Sequence, residues 1–172
     1  MAVYALGDRV PAIDSSAFVH PDAVVIGSVT IGPESTVWPH AVLRGDYGEI
    51  FVGAQTSVQD GTVVHATEEH PTRIGDRCVI GHIAHLEGCT IEDDSLVGSG
   101  SVILHRAVVR ARALVGAGAV VPNDMEVPSG AMALGIPARI RPDAVQAGDF
   151  DENVETYVAN GKRYAKDLRR ID

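Results

Sequence analysis

Arg44, His65 and Glu87 stand at equivalent places in three consecutive repeats of this chain, and His65 and Glu87 are residue types that ligate a divalent metal ion. Gln59 holds the corresponding place on a neighbouring face, and Asp60 and His82 come one position further along it, in successive repeats. Adjacent strands of a sheet lie about 4.8 Å apart, so His65 and Glu87 should project side by side, at a separation that a single ion can bridge. Asp60 and His82 lie around a corner from them. A third ligand on that other face does not easily reach the same ion within one chain, but a second copy can supply it. The expected assembly is therefore a closed ring of protomers with metal sites at the interfaces. His85, two residues before Glu87, points outward from the same strand and competes with Glu87 as the ligand. His20, His40 and His105 lack such neighbours and read as surface histidines.

These placements depend on a rhythm of six. Aliphatic residues recur as Ile13, Val19, Val25, Ile31, Val37 and Leu43, then Val52, Val58 and Val64, then Ile74, Ile80 and Leu86. The count shortens by one to Ile91, and Val97, Ile103, Val109, Val115, Val121 and Val127 complete the series. A small residue sits two positions earlier in nearly every case, and residues two apart in an extended strand share a face. Neither a helical period nor plain alternation explains six. A solenoid of short strands and tight turns does. With three strands per turn, Leu43, Val64, Leu86 and Ile103 stack on one face, here face c, and Val37, Val58, Ile80 and Val97 on face b. The residue after each aliphatic position points outward, where a solenoid carries its function.

Two departures from the rhythm, Gly45–Glu49 and Ala66–Arg73, both follow a face-c strand. They are expected as loops leaving one corner in consecutive turns, the usual setting of a binding face. The rhythm stops after Val127, and Gly135-Ile136-Pro137-Ala138-Arg139 leads away from the stack. From about Phe150 the apolar spacing becomes helical, through Val154, Tyr157, Val158, Ala165, Leu168 and Ile171. The organisation is thus a solenoid over 1–140 and a linker and helix over 141–172, the helix packing along one side.

Composition sets limits. A chain of 172 residues with 45% apolar residues suits one domain, and only 5% aromatics suits a narrow core of Val, Ile and small side chains. A net charge of −9 argues against nucleic acid or an anionic membrane as partner. The first residues have no basic start followed by an apolar run, and no stretch is apolar enough to span a bilayer, so a cytoplasmic location is expected. Cys78 and Cys89 both occupy the small inward slot and read as packing residues.

Arg44-Gly45-Asp46, Gln59-Asp60-Gly61 followed by His65, Gly81-His82, Gly88-Cys89 and the closing Gly135-Ile136-Pro137-Ala138 together resemble the γ-class carbonic anhydrases and their relatives across the whole chain. The hexapeptide rhythm alone is shared with many acyltransferases. The resemblance implies an all-β, left-handed parallel β-helix with a C-terminal helix, assembling as a homotrimer with zinc, or iron or cobalt, at each subunit interface. It implies reversible hydration of CO2 to bicarbonate, with attack by a metal hydroxide. By position, His65 is a ligand from one subunit and His82 the ligand from its neighbour. Arg44 and Asp46 form an interface ion pair, Gln59 and Asp60 orient water or substrate, and Glu68 matches a proton-shuttle carboxylate. The family's third ligand is a His before Gly-Cys, where this chain has Glu87, so a two-His, one-carboxylate site is expected. Two other readings stand beside this one: a hexapeptide acyltransferase using a His as general base, and a metal-binding trimer whose hydratase activity is lost or altered.

Overall fold

The computed structural model of the chain describes residues 2–172. It is a left-handed parallel β-helix of about seven turns followed by one α-helix. Strands are mostly two or three residues long, and each pairs in parallel with its equivalents one turn before and after. On face c, Leu43 pairs with Val64, Val64 with Leu86, Leu86 with Ile103 and Ile103 with Val121. On face b, Val37, Val58, Ile80 and Val97 stack in the same way. Face a is formed by Val52, Ile74, Ile91, Val109 and Val127. These residues and the small residues two positions before them are buried and form one continuous core. Cys78 and Cys89 are among them as free thiols, and burial pushes both up to about 12.

The corners recur as regularly as the core. Three residues after an aliphatic position the backbone enters the left-handed region, at Glu34, His40, Gln55, Gly61, Arg77, Ile83, Asp94, Gly100, Arg106, Arg112, Gly118, Asp124 and Gly130. The shortened repeat differs, because there Gly88 turns the corner two residues after Leu86.

The first departure from the rhythm is not the expected loop. Its three additional residues are absorbed into one continuous strand, Val42–Val52, which runs from face c around the corner to face a. Glycines make this bend possible. A Cβ on Gly45 would lie 2.6 Å from the Ser28 carbonyl oxygen, and one on Gly48 would lie 2.0 Å from that of Thr67. The second departure is a loop, closed by reciprocal backbone hydrogen bonds between Thr67 and His70, and it stacks on the first at the same corner.

Beyond the solenoid, Gly135–Ala138 is the turn of an antiparallel hairpin between Met132–Leu134 and Arg139–Arg141. The helix, Asp151–Asp167, is shorter than its apolar spacing predicts. Its chain turns extended at Leu168, leaving Leu168 and Ile171 exposed. It lies across face b, against Phe18–Val19, Thr36–Val37 and Ser57–Val58. Trp38, Phe18, Tyr157 and Tyr164 form an edge-packed aromatic cluster between the two. The Trp38 indole N–H donates to the hydroxyls of Thr36 and Ser57. Among the described residues no helix is long and apolar enough to cross a membrane.

The Gly48–Thr67 approach is a test of this corner. Gly48→Ala forces a Cβ into backbone that cannot yield, so it should destabilise the fold by about 1–3 kcal/mol, seen as a lower urea midpoint. An unchanged midpoint would show that the corner is looser than described.

Candidate functional site

Face c brings three outward residues into one row. Arg44, His65 and Glu87 are paired in consecutive turns, and Asp46, two residues beyond Arg44 on the same extended strand, joins them. His65 stands between two carboxylates: its Nδ1 lies 3.0 Å from Glu87 Oε1 and its Nε2 lies 3.1 Å from Asp46 Oδ1. Carboxylate oxygens only accept, so an imidazole can satisfy both only by donating from both nitrogens. The other Asp46 oxygen takes a hydrogen bond from Arg44. Within the chain, Arg44 and Asp46 are therefore direct partners. Two residues apart on a strand share a face, which puts the partners together without help from a second copy.

Glu87 is a hub. Besides His65 it meets His85, whose Nε2 lies 3.3 Å from Oε2, and His105, whose Nε2 lies 3.6 Å from Oε1. The hydrogen bond from His65, opposed by partial burial and reinforced by His85 and His105, holds Glu87 below its ordinary 4.5. Burial opposes ionisation of Asp46 too, but the bonds from Arg44 and His65 outweigh it and hold Asp46 below 3.8.

His105, which the sequence reads as a surface histidine, sits in this cluster instead. The repeat below it is one residue short while its own is complete, so His105 is the additional residue, lying over Gly88 and beside Glu87. The signal that could have found it was the shortened count between Leu86 and Ile91, carried one turn upward.

Around the corner, His82 Nδ1 lies 2.9 Å from Asp60 Oδ2. Both side chains are half exposed, at 48% each, against 14% for His65. Gln59 is buried at the end of its face-b strand. Glu68 is exposed on the second loop and makes no hydrogen bond to the cluster.

The donor chemistry fits a divalent cation in part. Glu87 and His65 offer oxygen and nitrogen donors in contact, and a cation could replace one of the protons that His65 needs to satisfy both carboxylates. Among the described residues, no group of three His, Cys, Asp or Glu within one chain could hold an ion. Face c thus sets His65 beside Glu87, and His82 stands apart from them at the corner of face b.

No family model matches the chain. It is 44% identical over 138 residues to the mitochondrial γ carbonic anhydrase 1 of Arabidopsis thaliana, a match covering 77% of this chain and 50% of that protein. The chain thus spans about half the length of that relative. It is 40% identical over 139 residues to the carnitine operon protein CaiE of Escherichia coli, covering 81% of this chain and 71% of that one. Among solved structures, a protein of Bacillus cereus described as a putative acetyltransferase superposes with a TM-score of 0.92 at 32% identity, over 95% of this chain and 96% of that one. A hexapeptide transferase family protein of Anaplasma phagocytophilum superposes with a TM-score of 0.89 at 33% identity, over 95% and 98%.

The carboxylates of the cluster give a pH signature. With folded values depressed, their contribution to stability is fully present above the ordinary carboxylate range and is lost as pH falls through the depressed values. Asp46→Asn should therefore cost on the order of 1 kcal/mol near pH 7, after solvent screening of a partly exposed pair. That cost should shrink in acid below about pH 4. Denaturation of wild type and variant across pH 3–8 checks the sign; a pH-independent difference would remove the electrostatic account.

Proposed function

The chain belongs to the γ-class carbonic anhydrase-like family of hexapeptide-repeat proteins, and on that premise we propose that it is a metal-dependent hydratase interconverting CO2 and bicarbonate. The supporting observation is the contact of His65 with Glu87 on face c, an adjacent nitrogen and oxygen donor pair, with His82 displayed at the neighbouring corner. In this reading the protein is a cytoplasmic homotrimer with one zinc, iron or cobalt ion at each subunit interface, held by His65 and Glu87 of one copy and His82 of the next.

A divalent cation there supplies Lewis acidity, lowering the pKa of bound water toward neutrality. The rest is the work of side chains. Glu87 gives a negative oxygen where an imidazole would be neutral, which offsets part of the cation's charge and weakens that acidification. Asp46, tied to Arg44, holds one nitrogen of His65 and so orients its ring. Asp60 fixes His82 by its Nδ1, leaving Nε2 as the outward nitrogen. Gln59, beside Asp60, would orient water or substrate, and Glu68 on the second loop would carry protons to solvent.

A second reading is favoured by the His82–Asp60 pair. An exposed imidazole oriented by a carboxylate is also the arrangement of a general base, and it suits an acyltransferase of the kind named among the structural relatives. Metal dependence separates the two.

Purified protein should contain metal and hydrate CO2, losing both on chelation; metal-free protein that releases coenzyme A from acetyl coenzyme A would support the second reading instead. His65→Ala and His82→Ala should each lose metal, and mixed assemblies of the two should recover part of it, since some interfaces regain both histidines. No recovery would refute the shared site.

Glu87→His tests the carboxylate. It should lower the pH at which hydration rises toward ~7, the value associated with neutral ligands, and raise activity near neutrality. An unchanged pH–rate profile would refute the electrostatic argument. Glu87→Ala should lose metal; if instead His85→Ala releases it and Glu87→Ala does not, His85 is the ligand.

A further inference from the structure

We propose that His105 is a positioning residue for Glu87, holding the carboxylate in place as a metal ligand through a hydrogen bond from its Nε2; this rests on the metal-dependent reading above. His105 Nε2 is the one buried side-chain polar atom among the described residues with no hydrogen-bond partner. It faces Glu87 Oε1 at 3.6 Å, too long for a hydrogen bond but within reach of a small turn of either side chain. Leaving a buried donor unpaired is costly, so this contact is poised to close.

The surroundings leave the ring little alternative. The His70 ring packs against it with centroids 5.5 Å apart. Arg106 donates to His70 Nε2 at 3.2 Å, so that nitrogen accepts and is not free to bond His105. Arg106 is itself held by both oxygens of Asp124 and by its backbone N–H to the Gly88 carbonyl. Below, Gly88 provides the space: its φ is +60°, and a Cβ there would lie 2.8 Å from both His105 Cδ2 and His70 Cβ. The ring is thus clamped with one nitrogen aimed at the carboxylate.

The same geometry explains what the bond would do. Glu87 Oε1 now accepts from His65 Nδ1. When Glu87 and His65 both serve a cation, that mutual bond is given up, and the carboxylate needs another donor to stay oriented. His105 is the donor placed to replace it. Outer partners of this kind typically contribute 10–100-fold in metal affinity.

The test is zinc affinity, measured by competition with a chromophoric chelator, on the intact assembly of wild type, His105→Phe and His105→Gln. Phenylalanine keeps a ring without the donor, and glutamine keeps an amide donor. His105→Phe should bind zinc about 10–100-fold more weakly with an unchanged melting temperature, and His105→Gln should recover most of the loss. Equal affinity in all three, or equal loss in both variants, overturns the proposal and leaves the metal-dependent reading standing. A wild type that takes up no zinc removes that reading, and this one with it. Wild type alone gives an independent check if a variant folds poorly. Zinc should slow solvent exchange of the His105 Nε2 proton in NMR spectra, and fast exchange with and without zinc would overturn the assignment.

Discussion

Every corner of this solenoid turns through a residue in the left-handed region, and that recurrent constraint keeps the turns in register. For an L-residue the conformation costs roughly 1–2 kcal/mol, and only some of the corners are glycine. Ile83 is the most demanding, a β-branched residue at φ 59° that is also largely exposed. The cost is met by what each corner permits: a parallel ladder on both sides and complete burial of one aliphatic and one small side chain per repeat. A one-residue slip would turn the buried side chains outward. Because the stack resists slippage, an outward residue of one turn is held beside its equivalent in the next, and chemistry can be assembled from residues about 20 apart in sequence.

The face-c row shows what that alignment produces. Nitrogen groups and carboxylates alternate along it, from the Arg44 guanidinium to Asp46, to the His65 imidazole, to Glu87, and on to His85 and His105. Each carboxylate is flanked by donors, which is why both are held ionised below their ordinary values. Each imidazole is oriented by at least one carboxylate in reach. The row is nevertheless open toward solvent on one side, and the His82–Asp60 pair lies over a corner of the prism. Rigidity that aligns residues along a face also keeps residues on different faces apart.

The fold was legible because its signal is a period, repeated many times, and errors in single positions do not alter it. Face assignment followed by counting, and the contacts of His65 with Glu87 and of Asp60 with His82 came out of that count directly. What the count could not show was where the rhythm broke. Three additional residues at Gly45–Glu49 were as compatible with a loop as with a strand bent around a corner; the close backbone approaches at Gly45 and Gly48 decide for the strand, and those depend on neighbouring turns. Arg44 and Asp46 pair within the chain for a strictly local reason, visible once Gly45–Glu49 is read as extended. His105 was obscured by the missing residue in the turn below it, since its neighbours follow from a difference in count between two repeats. The helix boundary was blurred because Leu168 and Ile171 continue the apolar spacing after the backbone has become extended.

The two chemistries considered for this fold share more geometry than they divide. A histidine that ligates a metal commonly gives its other ring N–H to a carboxylate, and a histidine acting as general base is oriented in the same way. The His82–Asp60 pair therefore serves either one, and no measurement of its distance separates them. The distinction lies on face c. A general base gains nothing from a second imidazole whose two nitrogens both face carboxylates, whereas that concentration of negative charge around a ring supports the proposed cation there. Glu87 strengthens the bias, because it adds a charge where a neutral ligand would not. In the proposed metal site, the same carboxylate that would attract the ion would also temper the acidity the ion confers, so affinity and reactivity would be set in opposite directions by one side chain.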